Sequence, residues 1–264
     1  SFDEFGYSVS ISSDGSIIAA GARYNDGNGN NSGHVRIYEN NSGVWTQIGD
    51  DINGEASNDE FGSAVSLSSD GNIVAIGAHK NDDGANNSGH VRVFERNANN
   101  TTVAPIGWTQ IGQDIDGQTN GESFGLSLSL SSDGSILAVG APEYNTDGTV
   151  RIYENISGVW TQIGNDINAE NPNDDFGLAV SISSDGSIVA IGGSGSDANG
   201  SNSGHVRVYE NILGTWTQLG SDIDGNSAGD YFGHSVSISS DGLSFSGSAT
   251  GNGGYIRVLE FDFV

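Results

Sequence analysis

Five copies of one 18-residue unit constrain this chain more than any other feature. FGYSVSISSDGSIIAAGA at 5–22 returns at 61–78, 124–141, 176–193 and 232–249 without a gap. A recurring unit of this kind is the signature of a repeat architecture, so it governs every later reading. Each unit reads as a β-hairpin. Val9 and Ile11 alternate with Ser8, Ser10 and Ser12, the period-2 pattern of a strand. Asp14-Gly15 supplies the turn, because glycine tolerates positive φ. Ile17-Ile18-Ala19-Ala20 is a short apolar run that fits a strand covered on both faces. The matching aspartates Asp70, Asp133, Asp185 and Asp241 are read as turn residues rather than as an acidic motif.

A third strand follows each hairpin: GHVRIYE at 33–39, GHVRVFE at 89–95, GTVRIYE at 148–154, GHVRVYE at 204–210 and GYIRVLE at 254–260. A fourth follows in four copies, beginning at Trp45, Trp108, Trp160 and Trp216, with WTQIGDDI at 45–52 as its type. The repeats begin near 5, 61, 124, 176 and 232, so the period runs from 52 to 63 residues. Length changes fall in two loops only, which marks those loops as surface. Four short strands per repeat is the pattern of a β-propeller blade. The expected fold is all-β: a five-bladed β-propeller with four-stranded blades, forming one domain over 1–264. The tryptophans are expected to pack between blades. The repeated Arg36, Arg92, Arg151, Arg207 and Arg257 are expected to pair with neighbouring carboxylates while their stems cover apolar surface.

The last blade is expected to be incomplete. No Trp strand follows Glu260, and Ser244, Ser246 and Ser248 stand where other copies carry Ile, Val, Ala or Gly. Its open edge is a template for an added strand, from a neighbouring copy or an adjoining surface protein. The absence of methionine reads as a processed or excised piece.

Charge narrows the partners. Lys and Arg number 8 against 34 Asp and Glu, a formal net charge of −26. Such a chain is a poor ligand for nucleic acid, which is held by Lys and Arg on phosphates. It contains no run suited to inserting in a membrane and no cysteine for a disulfide framework or thiolate metal site.

The run VGAPEYNTDGTVRIYE at 139–154, with Phe124-Gly125 before it, resembles the FG-GAP repeat, the blade unit of integrin α-subunit propellers. The resemblance extends over all five repeats through Phe-Gly and Gly-Ala, the latter becoming Gly-Gly and Ser-Ala in the last two copies. It implies an extracellular or cell-surface setting and a role in adhesion or recognition. Two departures stand out. The integrin-type array has seven blades, and the family's calcium loops carry spaced Asp and Asn where this chain has only Ser-Ser-Asp-Gly. No calcium residue is carried over on that basis.

Loop acids supply a separate metal reading. Propeller connectivity puts 18 of the 34 acids on one face, in the loops between second and third strands and between blades. Calcium takes six to eight oxygens, so Asp26, Asp82, Asp83, Asp147 and Asp197 are candidate ligands, with a solvated acidic surface as the alternative. No cofactor beyond calcium is indicated. His34, His90 and His205 recur at one position and read as structural. Sequons at Asn30, Asn40, Asn86, Asn99, Asn100, Asn155 and Asn199 are glycosylation candidates if the chain is eukaryotic and secreted. The expected function is a non-enzymatic adhesion or assembly module. Multivalent glycan binding by a lectin is the alternative, and a polysaccharide-active enzyme stands behind both.

Overall fold

The computed structural model describes residues 2–142 and 148–261, and every regular element among them is a β-strand. The first repeat supplies β1 (Ser8–Ile11), β2 (Ile17–Ala22), β3 (His34–Asn41), β4 (Val44–Gln47) and β5 (Ile52–Asn53). The second supplies β6 (Ala64–Leu67), β7 (Ile73–Ala78), β8 (His90–Arg96), β9 (Trp108–Gln110) and β10 (Ile115–Asp116). The third supplies β11 (Ser127–Leu130), β12 (Ile136–Ala141), β13 (Thr149–Ile156), β14 (Val159–Gln162) and β15 (Ile167–Asn168). The fourth supplies β16 (Phe176–Ile182), β17 (Ile188–Gly193), β18 (His205–Ile212), β19 (Thr215–Gln218) and β20 (Ile223–Asp224). The fifth supplies β21 (Ser235–Ile238), β22 (Ser244–Ala249) and β23 (Tyr255–Glu260). The residues divide into two compact units. One runs to Ser135 and takes in Asn155–Trp160; the other takes in Ile136–Glu154 and continues from Thr161.

In the first unit β1, β2, β3 and β4 lie in sequence order, each antiparallel to the next. The fourth strand differs from the expected single segment at 45–52. Its pieces β4 and β5 both pair with β3, at opposite ends of it. Ile48 still donates to the Ile37 carbonyl, and then Gly49, at φ 69°, turns the chain out of register. Gly112, Gly164 and Gly220 repeat that positive φ, so the break belongs to the repeat.

The hairpin turns hold as expected, and their aspartates are the reason. Asp14 Oδ1 accepts the Ser12 and Ser16 hydroxyls at 2.8 and 2.7 Å and the Ser16 amide at 2.9 Å. Asp133 and Asp185 make the same three bonds. The inward serines also work between repeats. Ser10 Oγ accepts the Leu67 amide, Ser66 Oγ that of Leu130, and Ser181 Oγ that of Ile238, each at 3.0 or 3.1 Å.

The Phe-Gly and Gly-Ala dipeptides meet each other from successive repeats. A Cβ on Gly21 would lie 2.1 Å from the Gly62 carbonyl, one on Gly77 2.1 Å from that of Gly125, and one on Gly192 2.0 Å from that of Gly233. Only glycine admits so close a backbone approach. This contact seats the buried rings of Phe61, Phe124, Phe176 and Phe232. Around it, Ile17, Val35, Ile37 and Ile52 of the first repeat pack against Phe61, Val74, Ile76 and Trp108 of the second. In the second unit Val150, Ile152 and Ile167 pack against Phe176, Val180 and Ile191, and Val206 and Val208 against Phe232 and Phe245. The fifth sheet has three strands among the described residues, β21-β22-β23, as expected of an incomplete last blade.

Candidate functional site

Repeat symmetry turns exposure into a signal. A face that is covered in every interior repeat should stay covered unless nothing adjoins it. Trp108 and Trp160 are buried, and each indole donates to a carbonyl of the preceding repeat, Ile48 and Ile111, at 3.0 and 2.9 Å. Trp216 does the same to Ile163. Trp45 is 44% exposed, and Phe5, Val9 and Ile11 beside it in the repeat are exposed as well. At the other end Ile256 and Val258 of β23 are 72% and 71% exposed, although their counterparts Val35, Ile37, Val91, Val93, Val206 and Val208 are buried. The first repeat and the last thus each expose apolar side chains that their counterparts in other repeats cover more fully.

The loop acids have mostly structural work. Asp26 Oδ1 accepts the Asn31 amide, Asp82 Oδ1 that of Asn87 and Asp197 Oδ1 that of Asn202, at 2.9, 2.6 and 2.8 Å. The receiving asparagines sit at φ 53°, 48° and 53°, so each aspartate closes its own loop, in the first, second and fourth repeats. None of these three candidate ligands belongs to a converging group of His, Asp and Glu donors among the described residues. Asp147 lies outside the described residues. A further row of acids escaped the sequence reading as structural parts. The position two before each Phe-Gly is acidic in all five copies, which was the available signal. Asp59, Glu122, Asp174 and Asp230 are buried there and cap the blade-to-blade loop. Asp59 accepts the Ala56 amide, Glu122 the Gln118 and Thr119 amides, and Asp174 the Asn171 amide. Asp230 accepts the Asn226 and Ser227 amides and the Tyr255 hydroxyl. The Asn252 amide and the Tyr255 hydroxyl, with the Ser227 donors, hold the Asp230 carboxyl down to about 2. Burial pushes Asp59 and Asp174 the other way.

The repeated arginines span the third strand. Arg36 binds Asp51 through two bonds of 2.9 Å, Arg207 binds Asp222 through two of 2.9 and 2.6 Å, and Arg151 binds Asp166 at 3.0 Å. Contrary to expectation, Arg257 pairs with no carboxylate among the described residues and donates to the Asp224 carbonyl and to Asn226 Oδ1. Arg92 also departs from this pattern. It turns to the Asn53 carbonyl at 2.7 Å and to Glu55 at 3.2 Å, leaving Asp114 to the Gln110 side chain. Glu55, Asp83, His90 and Asp114 then converge, with one donor atom of each within 4.8 Å of the others. His205, Asp222 and Asp224 form a comparable group, but there Arg207 already neutralises Asp222. Burial, and then the adjacent arginine, depresses His90 to about 3 and His205 to about 4. Both rings are therefore neutral near pH 7.

Two clefts adjoin these groups. One of about 640 Å³ lies under the inserted loop, lined by Arg92, Asn97, Asn100 and Trp108. The other, about 480 Å³ and polar, is lined by Glu170, Asp174, Asp197, Arg207 and Asp222. Among the sequons, Asn30, Asn86 and Asn99 are exposed and Asn40 is half-buried. The Asn155 side-chain nitrogen is buried, Asn199 donates to the Gly225 carbonyl, and Asn100 donates to three carbonyls of its loop.

The family model of the FG-GAP repeat matches residues 1–38, 53–94 and 168–209. No curated protein sequence matches the chain. Solved propeller structures do, at identities that speak for the fold alone. A candidate 6-phosphogluconolactonase from Bacteroides uniformis matches with TM-score 0.62 at 11% identity, over 98% of this chain and 68% of its own. The periplasmic gluconolactonase of Pseudomonas aeruginosa gives 0.62 at 16%, over 97% and 68%. The β-propeller domain of the trilobed protease from Pyrococcus furiosus, described as having an open velcro topology, gives 0.54 at 11%, over 98% and 70%. Five successive sheets, the Phe-Gly to Gly-Ala contact between repeats and these matches agree: the chain carries FG-GAP repeats on a β-propeller fold.

Proposed function

We propose that the chain is a non-enzymatic assembly or adhesion module of the cell surface or extracellular space, whose copies join first face to last face. The observation that carries this reading is the exposure of Val9, Ile11, Trp45, Ile256 and Val258 at positions that interior repeats bury or half-bury. What covers those positions inside the chain is another repeat of the same kind. The occupant we propose is a second copy, its Val9, Ile11 and Trp45 laid against Ile256 and Val258. Such a head-to-tail contact is heterologous and propagates. Ser248 shapes it. Interior repeats have glycine there, and a Cβ would meet the following Phe-Gly loop at about 2 Å. The incoming loop must sit further out than it does inside the chain, so this joint is weaker than an internal one. A net charge of −26 on each copy adds repulsion that salt screens.

Capture of soluble chain by immobilised chain tests this, at low and at seawater-like ionic strength. Binding is expected to rise with salt and to be lost when both copies carry Val9→Glu, because every first face is then charged. Failure of wild-type copies to bind each other at any salt would overturn the reading.

The polar cleft of the fourth repeat favours a second reading. Its carboxylates and Arg207 suit a polyhydroxylated ligand, a glycan or a sugar lactone such as those the gluconolactonases are named for. Saturable binding on a glycan array, or hydrolysis of gluconolactone abolished by Glu170→Gln, would put it first.

A further inference from the structure

We propose that Glu55, Asp83, His90 and Asp114 form a binding site for one divalent ion of the zinc class. The four residues come from three segments of the first unit. Glu55 stands in the loop leaving the first repeat, Asp83 in the β7–β8 loop, His90 at the start of β8, and Asp114 just before β10. One donor atom from each lies within 4.8 Å of all the others, a set that a small inward shift closes around an ion.

Acidic clusters are common on so acidic a chain, and His90 is what distinguishes this one. It is 0% exposed, and neither ring nitrogen has a hydrogen-bond partner. A buried imidazole without a partner carries a desolvation cost that a ligand would offset. Its ring is neutral near pH 7, the form that coordinates a metal. One imidazole nitrogen with carboxylate oxygens suits zinc and its neighbours better than calcium, which takes oxygen alone.

The second repeat also breaks the rule that the first, third and fourth keep, as the fifth does where Arg257 donates to the Asp224 carbonyl. In the first, third and fourth repeats an arginine holds the aspartate across the third strand. Here Arg92 makes no bond to Asp114, and its Nε is buried without a partner. One guanidinium stands against three carboxylates. The supporting shell is in place: Gln110 donates to Asp114 at 2.5 Å, and Asn81 accepts the Asp83 amide at 2.8 Å and donates to Asp59 at 3.2 Å. Outer partners of this kind orient metal ligands. The site lies apart from the hairpin turns, whose aspartates are occupied by serine hydroxyls and backbone amides.

Calorimetric titration of the untagged, chelator-stripped chain with zinc chloride tests the site. One ion per chain is expected, with calcium chloride binding more weakly. Asp83→Asn and Asp114→Asn should each weaken zinc at least tenfold, while Asp197→Asn leaves it unchanged. His90→Thr, which installs the residue of Thr149, should do the same in a chain whose circular dichroism remains β-rich. The site is refuted by no saturable zinc binding, by unchanged affinity in folded Asp83→Asn and Asp114→Asn, or by tighter binding of calcium than zinc. The readout is independent of whether copies associate.

Discussion

Replacing each of two equivalent tryptophans by alanine separates an interior blade from a terminal one. Trp108 is 0% exposed and its indole donates to the Ile48 carbonyl at 3.0 Å. A buried tryptophan covers roughly 150–250 Å². At about 25 cal/mol per Å² that burial is worth about 4–6 kcal/mol, and large-to-alanine changes in cores cost about 3–5 kcal/mol. Trp108→Ala should lose an amount in that range. Trp45 stands at the same repeat position but is 44% exposed and makes no comparable bond to a preceding repeat. By the same area scale Trp45→Ala should lose about 2–3 kcal/mol. Urea unfolding at high dilution, followed by fluorescence and circular dichroism, measures both, with the midpoint compared at unchanged slope. Trp108→Phe serves as a control. It keeps most of the packing but leaves the Ile48 carbonyl unpaired, a cost of about 1–3 kcal/mol. Equal losses in Trp45→Ala and Trp108→Ala in the monomer would refute the reasoning, because they would mean that the first repeat is covered like the others.

Other consequences are separately measurable. Ser248→Gly restores the residue that lets a Phe-Gly loop approach closely, so self-association should tighten several-fold in sedimentation velocity. Asp185→Ala removes the acceptor of three hydrogen bonds in a hairpin turn. About 1–3 kcal/mol of stability should go with it, read as a lower melting temperature, whereas Asp185→Asn should lose less. Acidification should destabilise the chain from its histidines first. His79, His90 and His205 are depressed by burial to about 4, 3 and 4, so the unfolded chain takes up their protons near pH 6.5 and the folded chain does not. Their contribution is whole above pH 6.5 and is lost as pH falls toward those values. Melting temperature should drop across that window, and His205→Thr should flatten the drop.

Much of the fold was legible because repetition averages out local ambiguity. The hairpin, its Asp-Gly turn, the inter-blade tryptophans and the arginine–carboxylate pairs all follow from residues that recur at fixed offsets. Two features did not follow. The fourth strand reads as one segment because Ile48 continues the apolar pattern, and only the positive φ of Gly49 reveals the break. The loop aspartates Asp26, Asp82 and Asp197 look like spaced ligands, yet each is consumed by an amide five residues on. The second-repeat cluster was legible only in Asp83. GHVRVFE and GHVRVYE are nearly identical, and Glu55 and Glu170 both reach the arginine, yet Arg207 keeps its aspartate and Arg92 does not. Side-chain packing around one guanidinium decided that, and no periodicity encodes it.

Sedimentation equilibrium over a wide range of protein concentration at seawater-like salt tests the central claim most directly. The uncovered faces predict an average mass that climbs above the 27.2 kDa of one chain and does not level off at a dimer. A constant 27.2 kDa at every concentration would contradict it, and would mean that those faces are satisfied within a single chain.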